Sequence, residues 1–156
     1  VTPSATVQVS AVAILRDAPE VTGGREVLTV RKRGTALHQY PGGKPEPGET
    51  PREAAVREIA EETCLSVDPD ALTEVGSFSA VAANEQDTTV IADVFAVPDS
   101  GAGVVCAAEI DEAVWLPLGT ETSTPDDDAY PLAPLMFETF PHIAAAFPVD
   151  GENVDP

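Results

Sequence analysis

The order of predicted elements gives an α+β fold, an α/β/α sandwich in which a mixed β-sheet lies between two helices. Three observations predict it. Four β-branched, apolar runs read as strands. A strongly capped helix opens after a loop rich in glycine and proline. A second stretch with helical spacing of apolar residues follows near the end of the chain. With 156 residues and 43% hydrophobic content, the chain is expected to form one domain over 1–156 with a substantial core. Residues 148–156 are expected to be a frayed tail, and neither an internal repeat nor an interdomain linker is evident.

Residues 6–15 (TVQVSAVAIL) suit a central strand, and 26–30 (EVLTV) its hairpin partner across a turn at 21–24. Arg31, Lys32 and Arg33 follow, three adjacent cations in an acidic chain. They read either as contacts for phosphate groups or as strand-end charges that neutralise nearby acids. An extended segment, 37–40, then runs into Pro41-Gly42-Gly43-Lys44. Glycines there open backbone conformations closed to other residues, or let a ligand come close to the main chain.

Beyond a turn at 66–70, residues 72–82 and 88–97 read as an antiparallel hairpin joined through Asn84-Glu85-Gln86-Asp87. Phe78 and Phe95 are expected in the core, and Glu85 at the loop tip is either solvated or aimed at a ligand. Residues 98–108 form a loop before the apolar run 113–118, and 119–129 form another. In 131–147 the stripe Leu132, Leu135, Met136, Phe140, Ile143 and Phe147 predicts a second amphipathic helix, interrupted or bent at Pro141. His142 is expected to be structural or exposed, and His38 has no partner visible in the sequence.

The central helix starts at Thr50, whose hydroxyl can cap it, with Pro51 at the first helical position and Glu53 closing a capping box. At about 100° per residue, Arg57, Glu58, Glu61 and Glu62 share one arc. Ala55, Val56, Ile59, Ala60 and Thr63 cluster opposite, so one face is expected to be core and the other carboxylate. Like charges at i,i+4 cost a few tenths of a kcal/mol, and Arg57 is the one cation in the group. A divalent ion would reverse that penalty, and Mg²⁺ takes carboxylate, phosphate and water oxygens. The alternative is a solvated acidic face.

The surrounding register favours the ion. Gly43 is followed after five residues by Glu49, after seven more by Arg57-Glu58, then by Ile59, Ala60, Glu61-Glu62 and, after Cys64, Leu65. This resembles the Nudix hydrolase box, G-x5-E-x7-R-E-U-x-E-E-x-G-U with U aliphatic, over 23 residues. Every charged position of the box is filled. Only its last glycine is missing, because Cys64 stands there; either Cys64 takes a left-handed conformation or the helix ends by another route.

The resemblance implies the sandwich fold and a Mg²⁺-dependent pyrophosphohydrolase, with Mn²⁺ as a substitute. The substrate class would be a nucleoside diphosphate linked to another group, or a nucleoside triphosphate as in MutT-like members. It implies a catalytic set of Glu49, Arg57, Glu58, Glu61 and Glu62. The metal ligands would be Glu58, Glu61, Glu62, the Gly42 carbonyl and Glu109, which precedes Trp115 as a further family glutamate does. Glu112 is the second choice for that place. Glu58 or Glu109 would be the base, while Glu49 and Arg57 would pair to brace loop and helix. Gly43, Lys44, Arg31 and Arg33 would contact substrate. The alternative is a non-catalytic nucleotide-sensing module on the same fold.

A net charge of −19 with two lysines argues against binding a nucleic-acid polymer, which needs clustered cations. A small nucleotide carrying its own cation is compatible. No charged leader and no 18-residue apolar stretch occur, so no membrane association is expected and a cytoplasmic location follows by default. Cys64 and Cys106 lie in no metal-binding or disulfide spacing and are expected to be free, buried thiols. A homodimer is left open.

Overall fold

The computed structural model describes residues 5–18, 24–83, 85–118 and 130–147. The loop expected over 119–129, most of the turn at 21–24, Asn84 and the tail at 148–156 lie outside the described residues.

Strand β1 (Ala5–Ala18) is the centre of a six-stranded sheet. It pairs antiparallel with β2 (Gly24–Lys32) and parallel with β5 (Thr88–Pro98), which makes the sheet mixed as expected. The two-residue β3 (Gly42–Gly43) adds to β1 opposite Ser10 and Ala11. β4 (Thr73–Val81) forms the antiparallel hairpin with β5, and β6 (Ile110–Pro117) closes the other edge against β2. The spatial order is β4-β5-β1-β2-β6.

Side chains alternate across a strand, and β1 therefore serves two cores. Ala11, Ala13 and Leu15 face helix α2 (Pro134–Ala146), where Met136, Phe140 and Ile143 are buried among them. Val12 and Ile14 face helix α1 (Pro51–Thr63), meeting Ala55, Ile59 and Phe95. One strand thus anchors both helix layers. Phe95 is in the core as expected, and Phe78 is half-buried with its ring against His142. Helix α2 runs through Pro141 without the interruption the proline suggested. No helix among the described residues is long and apolar enough to cross a membrane.

The predicted helix start is present in full. Thr50 accepts from the Glu53 N–H at 3.1 Å while the Glu53 carboxylate accepts from the Thr50 N–H at 3.2 Å. Ser10 Oγ donates to the Pro51 carbonyl at 2.7 Å and ties the first turn to β1. At the other end Cys64 takes the left-handed conformation, φ 60° and ψ 17°, with its N–H on the Ala60 carbonyl. The cysteine therefore does the work the missing glycine would do, at a cost of roughly 1–2 kcal/mol.

Two expectations are corrected. Cys64 and Cys106 are free but exposed rather than buried, since one caps a helix end and the other lies in the adjoining loop. The two faces of α1 also divide differently: Glu62 is 3% exposed and belongs to the buried side, while Ala60 is exposed. The helix is rolled against the sheet so that its last turn buries Glu62 and Thr63 together.

Candidate active site

The glycine pair sits where three elements meet, and its role is space rather than backbone freedom. Neither Gly42 nor Gly43 has a positive φ; both lie in extended strand. A Cβ at Gly42 would stand 2.1 Å from the Ser10 carbonyl oxygen, and one at Gly43 would stand 2.5 Å from Glu58 Oε1. Strand β3 can therefore lie against β1 on one side and the Glu58 carboxylate on the other only because both residues lack side chains.

Arg57 is the hub of the acidic row. Its Nε and Nη2 grip Glu49 at 2.8 and 2.9 Å, a two-point fork, and Nη2 also donates to the Lys44 carbonyl at 3.0 Å. Nη1 reaches Glu58 at 2.9 Å and Glu61 at 3.3 Å. The loop and helix are clamped as the Glu49–Arg57 pairing predicts. Its hydrogen bonds from Arg57 hold the Glu49 carboxyl below its ordinary range, and Glu49 in turn raises the guanidinium.

Glu62 is different. Its Oε2 accepts a long bond, 3.3 Å, from the Gly42 N–H, and burial with the neighbouring Glu58 charge pushes its carboxyl up to about 8. A buried carboxylate beside a second carboxylate is unfavourable without a cation to join them.

A cleft of about 520 Å³ opens beside this helix; Arg57 and Glu58 line it, whereas Glu49, Glu61 and Glu62 do not. Glu58, Arg57, Gly42, Gly43 and Lys44 form one wall, and Lys32, Arg33 and Glu109 another. Glu85 sits across from Lys44, 3.9 Å away. The one-residue bulge in β6 opposite Arg31 and Lys32 lets Arg31 and Arg33 share Asp111, at 3.7 and 3.8 Å. Lys32 pairs instead with Glu109 at 3.5 Å. Of the three adjacent cations read as possible phosphate contacts, Lys32 and Arg33 line the cleft and Arg31 does not. All three cations have acidic partners. Glu112 is also absent from the cleft lining; its Oε1 lies 2.7 Å from Nε2 of the buried His38.

These acids are an all-oxygen set, and the buried, high-pKa carboxyl of Glu62 beside Glu58 fits a hard divalent cation. Among the described residues no three His, Cys, Asp or Glu side chains converge on one point. Each acid is held by a protein donor: Glu58 and Glu61 by Arg57, Glu62 by Gly42, and Glu109 by Lys32. An ion would have to draw carboxylates from these partners.

A box of acids on a capped helix, a glycine strand beneath it and a sandwich around it agree with the comparison to known families. The family model of the NUDIX domain matches residues 6–136. The chain belongs to the Nudix hydrolase family. Its likeness to solved members is one of fold. A MutT/nudix family protein from Enterococcus faecalis superposes with a TM-score of 0.72 at 17% identity, over 94% of this chain and 62% of that one. The NUDIX domain of Shewanella oneidensis NrtR, complexed with ADP ribose, gives 0.67 at 15% identity over 91% and 88%. A curated Bacillus subtilis protein named "Putative 8-oxo-dGTP diphosphatase" is 49% identical over 39 residues. That match spans 25% of this chain and 26% of the relative's length.

Proposed function

We propose that this Nudix protein hydrolyses a phosphoanhydride in a small nucleotide, either a nucleoside triphosphate or a nucleoside diphosphate linked to another group, with Mg²⁺ as cofactor and Mn²⁺ as a substitute. The observation that carries the reading is the pair Glu58–Glu62. One carboxylate faces the cleft against Gly43; the other is buried behind it on the Gly42 N–H.

Glu58, Glu61 and Glu62, with Glu109 and the Gly42 carbonyl, are the groups that would hold the ion. When bound, a divalent ion neutralises the anhydride and makes a water more acidic. The chain's own residues supply the rest. Lys44, Arg33 and Lys32 face the space a diphosphate would fill, and Gly43 lets it approach the main chain. Glu58 is the base in this reading, because it lies in the cleft and can take a proton from water there. Arg57 and Glu49 hold the loop and helix in register.

A nucleotide-sensing module without turnover is the second reading. It is favoured by the engagement of Glu58 and Glu61 with Arg57. A panel of nucleoside triphosphates and nucleoside diphosphate derivatives, assayed for phosphate and pyrophosphate release with Mg²⁺ and with EDTA, separates the two. The enzyme reading expects release with Mg²⁺ alone. Binding without release from any compound supports the sensor.

A further inference from the structure

The loop ahead of β6 closes the C-terminal end of α1. The last carbonyls of a helix have no partner within it, and two of them here take theirs from this loop. The Val105 N–H donates to the Thr63 carbonyl at 3.0 Å, and the Ala107 N–H to the Glu62 carbonyl at 3.1 Å. The loop is braced beyond that point as well. The Ile110 N–H returns to the Ala107 carbonyl at 3.1 Å across the left-handed Ala108, φ 54°, and the Glu109 carbonyl accepts from the Arg33 N–H at 2.8 Å. Glu109 therefore reaches the cleft from a segment fastened to the helix end on one side and to the residue after β2 on the other.

The same contact brings together the chain's two cysteines. Cys64 is the residue after Thr63, and Cys106 lies between Val105 and Ala107, so each is one chain step from the 3.0 Å bond. Both thiols are free and exposed. A disulfide needs Cα atoms about 4.4–6.8 Å apart, a separation that facing, hydrogen-bonded backbones supply. Neither backbone is free to drift. The Cys64 N–H is held on the Ala60 carbonyl at 3.1 Å, and Cys106 is held through the bonds of both its neighbours. Cys64 also carries its thiol at a left-handed position where glycine would stand without steric cost, and the chemistry of the acidic cleft makes no use of that sulfur.

We infer that Cys64 and Cys106 form a reversible disulfide, a modification site that fastens the Glu109 loop to the end of α1. The oxidant is a low-molecular-weight disulfide such as oxidised glutathione. One cysteine sulfur attacks it, forming a mixed disulfide and releasing one small thiol; the other cysteine sulfur then attacks the first at the mixed disulfide and releases the second small thiol. Two protein thiols are oxidised, the small disulfide takes both electrons, and both cysteine protons end on the released thiols. The bond closes residues 64–106 into a ring in the unfolded chain, which makes the oxidised protein harder to unfold. It also holds Glu109 at a fixed spacing from the helix that carries Glu58, Glu61 and Glu62. The inference concerns the chain's own thiols and stands whether or not the cleft turns over a nucleotide.

The test equilibrates the intact, reduced chain with buffers of increasing oxidised-to-reduced glutathione ratio, blocks the remaining thiols by alkylation and maps the peptides by mass. Both cysteines should become protected together, in a monomer whose Cys64 and Cys106 peptides are linked. The linked form should melt roughly 5–10 °C above the reduced one and return to the lower value with dithiothreitol. Amide hydrogen exchange over residues 105–110 should slow on oxidation. Cys64→Gly and Cys106→Ser, each folded by circular dichroism, should both melt at the same temperature in oxidising and reducing buffer. Glutathione retained on either cysteine, chain-to-chain links as the oxidised product, or a linked chain that melts no higher than the reduced one would overturn the inference.

Discussion

Gly43 and Glu58 touch: a Cβ placed on the glycine would stand 2.5 Å from Oε1 of the glutamate. The neighbouring glycine is confined by backbone instead, with the Ser10 carbonyl 2.1 Å from its would-be Cβ. A side-chain end can swing aside and a strand cannot. Gly43→Ala is therefore expected to keep the fold and lose activity by displacing Glu58, while Gly42→Ala should lower the melting temperature by several degrees through the β1–β3 contact. Thermal melts and turnover of the two variants, measured together, check the contrast; equal stability loss in both would remove the distinction.

Arg57 holds Glu49 by two hydrogen bonds and Glu58 and Glu61 by one each. Removing it leaves three acids facing one another and frees the Lys44 carbonyl. Arg57→Ala should lower the melting temperature by ~3–8 °C and reduce kcat. Lysine, which cannot form the fork, should restore little of either. Full recovery by Arg57→Lys would contradict the bracing geometry.

Glu62 gives a pH dependence whose sign is opposite to that of a salt-bridged acid. Its carboxyl is raised from 4.5 to about 8 in the fold by burial and by Glu58. The native state therefore holds a proton that the unfolded chain has lost between those values. Stability falls as pH rises through that window and levels off above it, by a few kcal/mol at most. Glu62→Gln removes the dependence: in metal-free buffer it should melt higher than wild type at pH 8.5 and close to it at pH 4.5. Parallel melting curves for the two proteins across pH would show that Glu62 is ionised throughout.

Cys64 occupies a left-handed position, φ 60°, that glycine fills without steric cost. Glycine also adds freedom to the unfolded chain, which offsets part of the gain. Cys64→Gly should leave activity intact and hold or raise the melting temperature, by up to ~3 °C. A clear fall would mean the thiol side chain contributes more than the backbone strain costs.

What could be read from the sequence was local. The capping box at Thr50 and Glu53 spans one helical turn, and the alternation of Ala11 through Leu15 is set by the pleat of one strand. The box register likewise sets Glu49, just ahead of the N-cap, against Arg57 in the second turn of the helix. What escaped depends on how elements meet. The roll of α1 on the sheet, which buries Glu62, is a packing outcome that a helical wheel does not contain. Arg31 and Lys32 alternate across β2, but which of the two faces the cleft is set by how β2 sits in the sheet. His38 finds Glu112 at a separation of 74 residues, and Cys106 comes to Cys64 only because the loop ahead of β6 caps the end of α1. The glycine pair was read as conformational freedom and as room for a ligand at the main chain, yet the close approach of Ser10 and Glu58 is what requires it.

The central claim is that the acids of α1 act together with Mg²⁺ on an anhydride, and the most direct measurement is the Mg²⁺-dependent turnover of the best substrate by wild type, Glu61→Gln and Glu62→Gln, each paired with a melting curve. The account predicts a loss of roughly 10²–10³-fold or more in kcat for both variants with the fold retained. Near-wild-type turnover by both would contradict it.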